Sequence, residues 1–505
     1  MNLYTPAAGY PCTIDVEYQI NVTGYIELPD WYVNTNLTST ENFRFLVDVP
    51  AEIDIRHRAL NHDFFQKEEL IGKQKRYTWE AKNIVVKNFE QDGFEMSHYL
   101  PQVEIVPNFF EYDGYAGSFK SWEDFGKWNY ALYEERNPFS KERAEDIKLM
   151  VSNAKTDVEK INLLYNYLQK HMRYVSIQLG IGGFKPFTTA FVDEKKYGDC
   201  KALTNYMRSL LHVVGIKSYP ALINAGYNKT AADPKFPTDP FNHVILCIPN
   251  GKDTTWLECT SNKAKAGALG SFTENKYALL LTEAGGILTK TPRSKASMNR
   301  IVSSHEIVLH ENGGAQVKSK IYSSGDASMI FNEMRQMDAD RQKEVFFEYL
   351  DYIHPQTMTM SSLEGQSNEF VRLDLDYKKL FEFSAGNKFF YPVAINKLAN
   401  NNLKNIHNRK TEYVFNYPYE KQDTTTFIIP AGFNVENIPT NHQILNDYTI
   451  YKREVYFDKE TNKLKLVCSL TLKNNFIPSS KYNEVVNFFT AVHDLEMENL
   501  ILIKQ

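Results

Sequence analysis

The sequence predicts a multidomain α+β protein, with a central segment of mixed helix and strand flanked by β-sandwich domains. Three observations carry this. Apolar and polar residues alternate strictly towards both ends of the chain, as in half-buried strands. Between about residues 118 and 225 the apolar period changes to that of amphipathic helices. The length of 505 residues, at ~150 residues per domain, provides for three or four domains. The expected divisions are 1-115 (N-terminal β-sandwich), 116-297 (core), 298-405 (β-rich, with one helix) and 406-505 (C-terminal β-sandwich).

The first strand is expected over residues 13–20, where Ile14, Val16, Tyr18 and Ile20 alternate with Asp15, Glu17 and Gln19. Strand-like runs follow at 42–49 and 75–79, punctuated by Pro29-Asp30 and Asn61-His62-Asp63. Thr156-Asp157-Val158-Glu159 has the pattern of a capping box. Val158, Ile161, Leu164, Leu168 and Met172 then recur at helical spacing. A strand over 174–179 leads into the loop Gly180-Ile181-Gly182-Gly183. The next helix begins near Asp199, buries Leu203, Met207, Leu210, Leu211 and Val214, and ends at the glycine cap Gly215. A strand over 218–224 and a loop holding Pro234, Pro237 and Pro240 follow. From about residue 300 the alternation returns. Ile307, Leu309, Ala315 and Val317 flank the hairpin signal Asn312-Gly313-Gly314. Val371, Leu373, Leu375 and Tyr377 alternate, as do Leu464, Leu466, Cys468, Leu470 and Leu472. One helix over 338–350 interrupts them, and Asn400-Asn401-Asn402 suggests a boundary.

Composition excludes several classes. Hydrophobic content of 43% and charged content of 24% are those of an ordinary folded protein. A net charge of −5 argues against nucleic acid as the main partner. The 31 tyrosines and 32 phenylalanines favour strands. Cys12, Cys200, Cys247, Cys259 and Cys468 are scattered, odd in number and without a CxxC pair. Neither a zinc site nor a dense disulfide framework is expected, and no metal or cofactor. No run of 18 apolar residues occurs, so no membrane span is expected. No charged-then-apolar leader opens the chain, which fits a cytosolic protein or a mature or trimmed one. A piece upstream is expected to be missing, because a strand begins almost at once. Sequons stand at Asn21, Asn36 and Asn228.

The chemistry concentrates in three places. In Tyr197-Gly198-Asp199-Cys200-Lys201-Ala202, Cys200 falls at the first turn of a helix and at the rim of its apolar stripe. Unpaired N–H groups there favour a thiolate and could hold an oxyanion. His243 and Glu258 follow on the two arms of a hairpin around Asn250-Gly251. With the turn centred on that dipeptide, 243 and 258 lie directly opposite and share a face. The carboxylate would then orient the imidazole. Singly, each residue has an ordinary reading: a core cysteine, a strand histidine, a solvent-facing glutamate. Asp253 is an alternative acid but belongs to the turn, and Asp199 is better placed to cap the helix. Gln178 and Tyr197 are candidate oxyanion donors.

Gly198-Asp199-Cys200, Phe241-Asn242-His243-Val244 and Trp256-Leu257-Glu258-Cys259-Thr260 resemble the three signature segments of the transglutaminase-like superfamily, which carry Cys, His and Asp on a papain-like core. Residues 173–186 resemble a bacterial branch with an N-terminal β domain of unknown function and often a C-terminal β domain. The departure is Glu258, where the superfamily has aspartate. The resemblance implies acyl transfer or hydrolysis at an amide or peptide bond through a thioester on Cys200, with His243 as base and then acid. It implies a protein or peptide substrate, with water or an amine as acceptor. It also implies a periplasmic or cell-surface location, with a cytoplasmic one as the alternative. The competing expectation is an inactive scaffold of this fold that binds protein or glycan.

Overall fold

The computed structural model describes residues 9, 11–13, 15–17, 26, 28, 31–34, 37–86, 90–134, 139–251, 253–335, 337–362, 369–381, 383–399 and 403–505. Of the strand expected over 13–20, residues 13 and 15–17 are described and none lies in a strand, while the boundary at 400–402 and the sequons Asn21 and Asn36 fall wholly outside the described residues. Among the described residues the chain has eight α-helices and many strands in several sheets.

The N-terminal unit contains two three-stranded sheets. One orders Thr40–Pro50, Gln74–Ile84 and Phe65–Ile71. The other orders Trp31–Tyr32, Gln102–Pro107 and Ile55–Leu60. Tyr77 and Trp79 from the first meet Ile55, Val103 and Ile105 from the second in one apolar cluster. The runs at 42–49 and 75–79 thus form paired strands, because every second side chain has an apolar neighbour to cover it.

The central segment joins helices to a five-stranded antiparallel sheet. The sheet orders Asp253–Leu257, His243–Asn250, Tyr219–Ile223, Tyr277–Thr282 and Gly285–Lys290. The capping box forms: Thr156 accepts from the Glu159 amide, and Glu159 reaches back to the cap. It starts the helix Asp157–His171, whose Ile161, Leu164 and Leu168 are buried, whereas Val158 is 56% exposed. The expected strand over 174–179 shrinks to Arg173–Tyr174, paired in parallel with Tyr197–Gly198. Beyond the Val175 amide, which reaches the Gly198 carbonyl, the chain turns into a 3-10 helix, Gly180–Gly183. Gly215 takes φ +78 just past the helix Cys200–Val213, as a C-terminal cap requires. The helix Trp122–Glu134 lies against the sheet edge by glycine contact. A β-carbon on Gly126 would stand 2.1 Å from the Gly286 α-carbon.

Residues from about 300 onward build one eight-stranded sheet. Its order is Thr357–Ser362, Glu369–Tyr377, Ala315–Ser323, Arg300–Leu309, Tyr419–Ile428, Lys463–Leu472, Thr449–Asp458 and His442–Leu445. Arg300–Leu309 pairs in parallel with Tyr419–Ile428. The expected division between 298-405 and 406-505 therefore runs through a single sheet. Alternation identifies strands but carries no information about which distant strand each one joins. The C-terminal segment is also not purely β. The helix Tyr482–Glu496 buries Val485, Phe488, Phe489 and Val492 against Tyr451 and Leu470 of the sheet. Its apolar run reads equally well as a buried strand, which is why the sequence pattern does not reveal it. The expected helix near 338–350 is present as Ala339–Leu350, capped by Asp338. No helix among the described residues is long and apolar enough to cross a membrane.

Candidate active site

Cys200 opens the helix Cys200–Val213. Asp199 caps it, its Oδ1 accepting from the Ala202 amide at 2.9 Å. The first intrahelical bond runs from the Leu203 amide to the Asp199 carbonyl. The Cys200 and Lys201 amides precede it and have no partner within the helix. Lys201 pairs with the Asp199 carboxylate, and both side chains are buried. Leu203, Met207 and Leu210 pack on Leu246 and Leu257 of the hairpin. Thr204 Oγ1 donates to the Val244 carbonyl at 3.2 Å. The helix and the His243 strand are thereby locked together at the level of Cys200.

The hairpin meets its task by a different register from the expected one. Asn250 pairs with Asp253, Cys247 with Trp256 and Leu246 with Leu257. Asn250 is the last paired residue rather than the first turn residue, and Gly251 adopts φ +58 beyond it. Extended past the strand end, this register puts Glu258 opposite Ile245 and diagonal to His243. A shift of two keeps the face unchanged. Diagonal neighbours are ~7–8 Å apart at their α-carbons, within reach of a long side chain. Glu258 Oε2 accordingly meets His243 Nε2 at 2.9 Å. Asp253 opens its strand at the far end of the hairpin, away from His243.

The imidazole is hydrogen-bonded to Glu258, and Cys200 and Glu258 are the two neighbours that raise its pKa. With Nε2 on Glu258, Nδ1 is the nitrogen left for sulfur. Burial pulls the His243 pKa down. Hydrogen bonds to Cys200 and Glu258, and the charges of both, outweigh it and raise the pKa to about 10. Burial alone would push Glu258 up. The hydrogen bond and charge of His243, with the hydroxyl and amide of Thr260, hold it below the usual carboxylate value. The Thr260 amide donates to Glu258 Oε1 at 3.0 Å, and Tyr165 Oη donates to the Glu258 carbonyl at 2.7 Å. Thr260 and Tyr165 went unrecognised in the sequence. The spacing Glu258-Cys259-Thr260 offered a signal for the first, and nothing local offered one for the second.

Cys200 does not lie at a rim. It is 3% exposed, within a cluster that includes Phe125, Trp128, Tyr133 and Val244. The helix stripe was read from one face, whereas a second helix, Trp122–Glu134, covers the other. Exposure therefore does not separate Cys200 from Cys247 and Cys259, at 1% and 3%. Their surroundings do. Burial pushes the Cys247 thiol up to about 12, and burial also raises Cys259. Only Cys200 among these three meets an imidazole, and that side chain is 12% exposed. Gln178 is exposed and Tyr197 packs edge-on to Phe191 at 5.6 Å. Neither hydrogen-bonds the pair among the described residues. No cluster of His, Cys, Asp or Glu suited to a metal occurs among the described residues either.

Residues 4–87 match the model of a Domain of Unknown Function (DUF3857), and residues 386–502 that of another (DUF3858). No curated protein matches the chain. Among solved structures, one described as a "putative protease" from Parabacteroides distasonis is similar over 94% of this chain and 75% of that one, with a TM-score of 0.56 and 12% identity. Another, described as a "putative cysteine protease" from Cytophaga hutchinsonii, covers 46% of this chain and 77% of its own, at 10% identity and a TM-score of 0.21. The first shows that the fold of nearly the whole chain is shared with a solved protein.

Proposed function

We propose that the chain is a transglutaminase-like cysteine enzyme that cleaves or transfers the acyl group of an amide or peptide bond, on a papain-like core formed by residues 116–297. One observation carries the reading: an imidazole hydrogen-bonded to a buried carboxylate is perturbed by the sulfur at a helix start. Cys200 attacks the carbonyl carbon as thiolate, and the charge that develops on oxygen meets the unpaired amides of the helix start. His243, protonated, gives its proton to the leaving amine, and a thioester remains. Water or a second amine, deprotonated by His243, then attacks the thioester and returns the thiol. Glu258 holds the ring with Nδ1 towards sulfur and supports its positive charge. The similar Parabacteroides protein, described as a "putative protease", fits a peptide substrate.

The burial of Cys200 favours a second reading, in which the site is closed and the molecule binds protein or glycan without turnover. Iodoacetamide labelling, mapped peptide by peptide so that exposed Cys12 is scored separately, distinguishes the two. Rapid labelling of Cys200 in the folded protein, abolished in Cys200→Ser, is expected. A Cys200 that labels only after unfolding would leave the binding module.

A further inference from the structure

We propose that Arg56 and Arg58 of the N-terminal unit are positioning residues for His243, holding the segment 233–242 that delivers the imidazole to Cys200. The inference rests on the reading of Cys200 and His243 as a reacting pair.

Arg56 and Arg58 stand two apart on the strand Ile55–Leu60 and so project from one face. Arg56 Nε donates to Asn108 Oδ1 at 2.9 Å. Its Nη2 donates to the carbonyls of Phe119 and Pro237, each at 2.7 Å. Arg58 Nε reaches Glu104 at 2.5 Å, and its Nη1 reaches Asp233 Oδ2 at 2.6 Å. Both guanidinium groups lie over the Phe236 ring, at 5.1 and 4.1 Å from its centre. Trp122 completes the grip. Its Nε1 donates to the carbonyls of Asp233 and Pro234, each at 3.2 Å.

The held segment leads directly into the site. Phe236 and Phe241 pack against the cluster that contains Cys200, and Phe241 lies 5.7 Å from Trp122. Asn242 is fixed at the far end. Its Nδ2 donates to the Ala225 carbonyl at 2.9 Å and its Oδ1 accepts from the Ala225 amide at 2.7 Å. His243 is the next residue and begins its strand. Beyond its own strand pairing and Glu258, the ring is thus approached through a segment with two anchors, and one belongs to the N-terminal unit. Arg56 is the stronger of its two arms. It meets neutral carbonyls in fixed directions, whereas Asp233 is 40% exposed and its ion pair is screened.

The test uses the full chain and site-resolved iodoacetamide alkylation of Cys200. The ionisable groups acting on His243 are Cys200 and Glu258, so the readout is the ratio of rates at about pH 6 and about pH 9. A paired thiolate stays reactive at the lower pH, and a misplaced ring loses that advantage. In Arg56→Ala the rate at the lower pH should fall about tenfold and the rate at the higher pH by less than about twofold. Arg56→Lys should recover only part of the loss, because a single ammonium replaces Nη2 at the carbonyls but not the separate Nε at Asn108 or the planar stack on Phe236. Where Arg56→Ala does not fold, Phe236→Leu removes the stacking but keeps both guanidinium groups, and a fall of about threefold is expected. Folded variants with the wild-type ratio would overturn the positioning role alone. A wild-type protein with no enhanced reactivity at the lower pH would overturn the reacting pair, and the positioning role with it.

Discussion

His243 meets Glu258 at 2.9 Å, and 62 residues later His305 lies 2.7 Å from Asp423. The second pair also has a hydroxyl in line: Ser319 Oγ is 2.7 Å from His305 Nδ1. Serine, imidazole and carboxylate thus stand in the order of a hydrolytic relay. Yet the three come from the middles of neighbouring strands of the eight-stranded sheet, Ala315–Ser323, Arg300–Leu309 and Tyr419–Ile428. The side chain of His305 is 0% exposed, and so is Ser319. Asp423 also accepts from Ser303 and Thr425, each at 2.7 Å. Burial would raise its pKa, but the charge and hydrogen bond of His305, with these hydroxyls, bring it below the usual value. The His243 site differs on two counts. Its cysteine stands at a helix start whose first amides have no partner within the helix, and its ring is 12% exposed. Relay geometry alone therefore serves stability in one place. A helix terminus and a partly exposed ring are what distinguish the other, and they are why the proposed chemistry is placed there.

The largest effect should come from breaking the sealed pair. His305→Leu leaves the buried Asp423 carboxylate without its imidazole neighbour, at a cost of about 3–5 kcal/mol. Ser319→Ala should cost only about 1 kcal/mol. Urea unfolding measures both, and neither change should alter Cys200 alkylation in protein that remains folded. Wild-type stability in His305→Leu would show that the sealed pair does not hold the sheet together.

At the His243 site the expected loss is in rate. Glu258→Gln should slow Cys200 alkylation at about pH 6 by about a hundredfold, since the amide supports the positive ring poorly. Glu258→Asp should slow it about threefold, because the diagonal register uses the longer side chain. Equal rates in Glu258→Asp and wild type would contradict that use of the register.

The smallest effect is on pH-dependent stability. His243 is raised from 6.5 to about 10. Its contribution is complete below about pH 6.5 and is lost as pH rises through 10. Glu258 is lowered, so its contribution is present above its ordinary pKa and is lost as pH falls. Cys200→Ala removes one of the two groups that raise His243, and should flatten the alkaline decline of the urea midpoint. An unchanged decline would mean that Cys200 does not help hold the proton on the ring.

Much of the site was legible because it is local. Gly198-Asp199-Cys200 announces a helix start, and parity alone puts 243 and 258 on one face whether the register sum is 501 or 503. What could not be read is long-range. Nothing in Arg56 or Arg58 points to Pro237 or Asp233, 181 and 175 residues away. Nor does alternation in Ile301 and Ile307 reveal a parallel partner at 419–428. Cys200 was placed at a rim because one helix shows only its own stripe, and the covering aromatic residues come from another.

The pH profile of Cys200 alkylation in wild type and His243→Gln tests the central claim most directly. Wild type should be alkylated about tenfold or more faster than His243→Gln at about pH 6, with the two rates drawing together towards about pH 9. Superimposable profiles, both rising only above about pH 8, would contradict it.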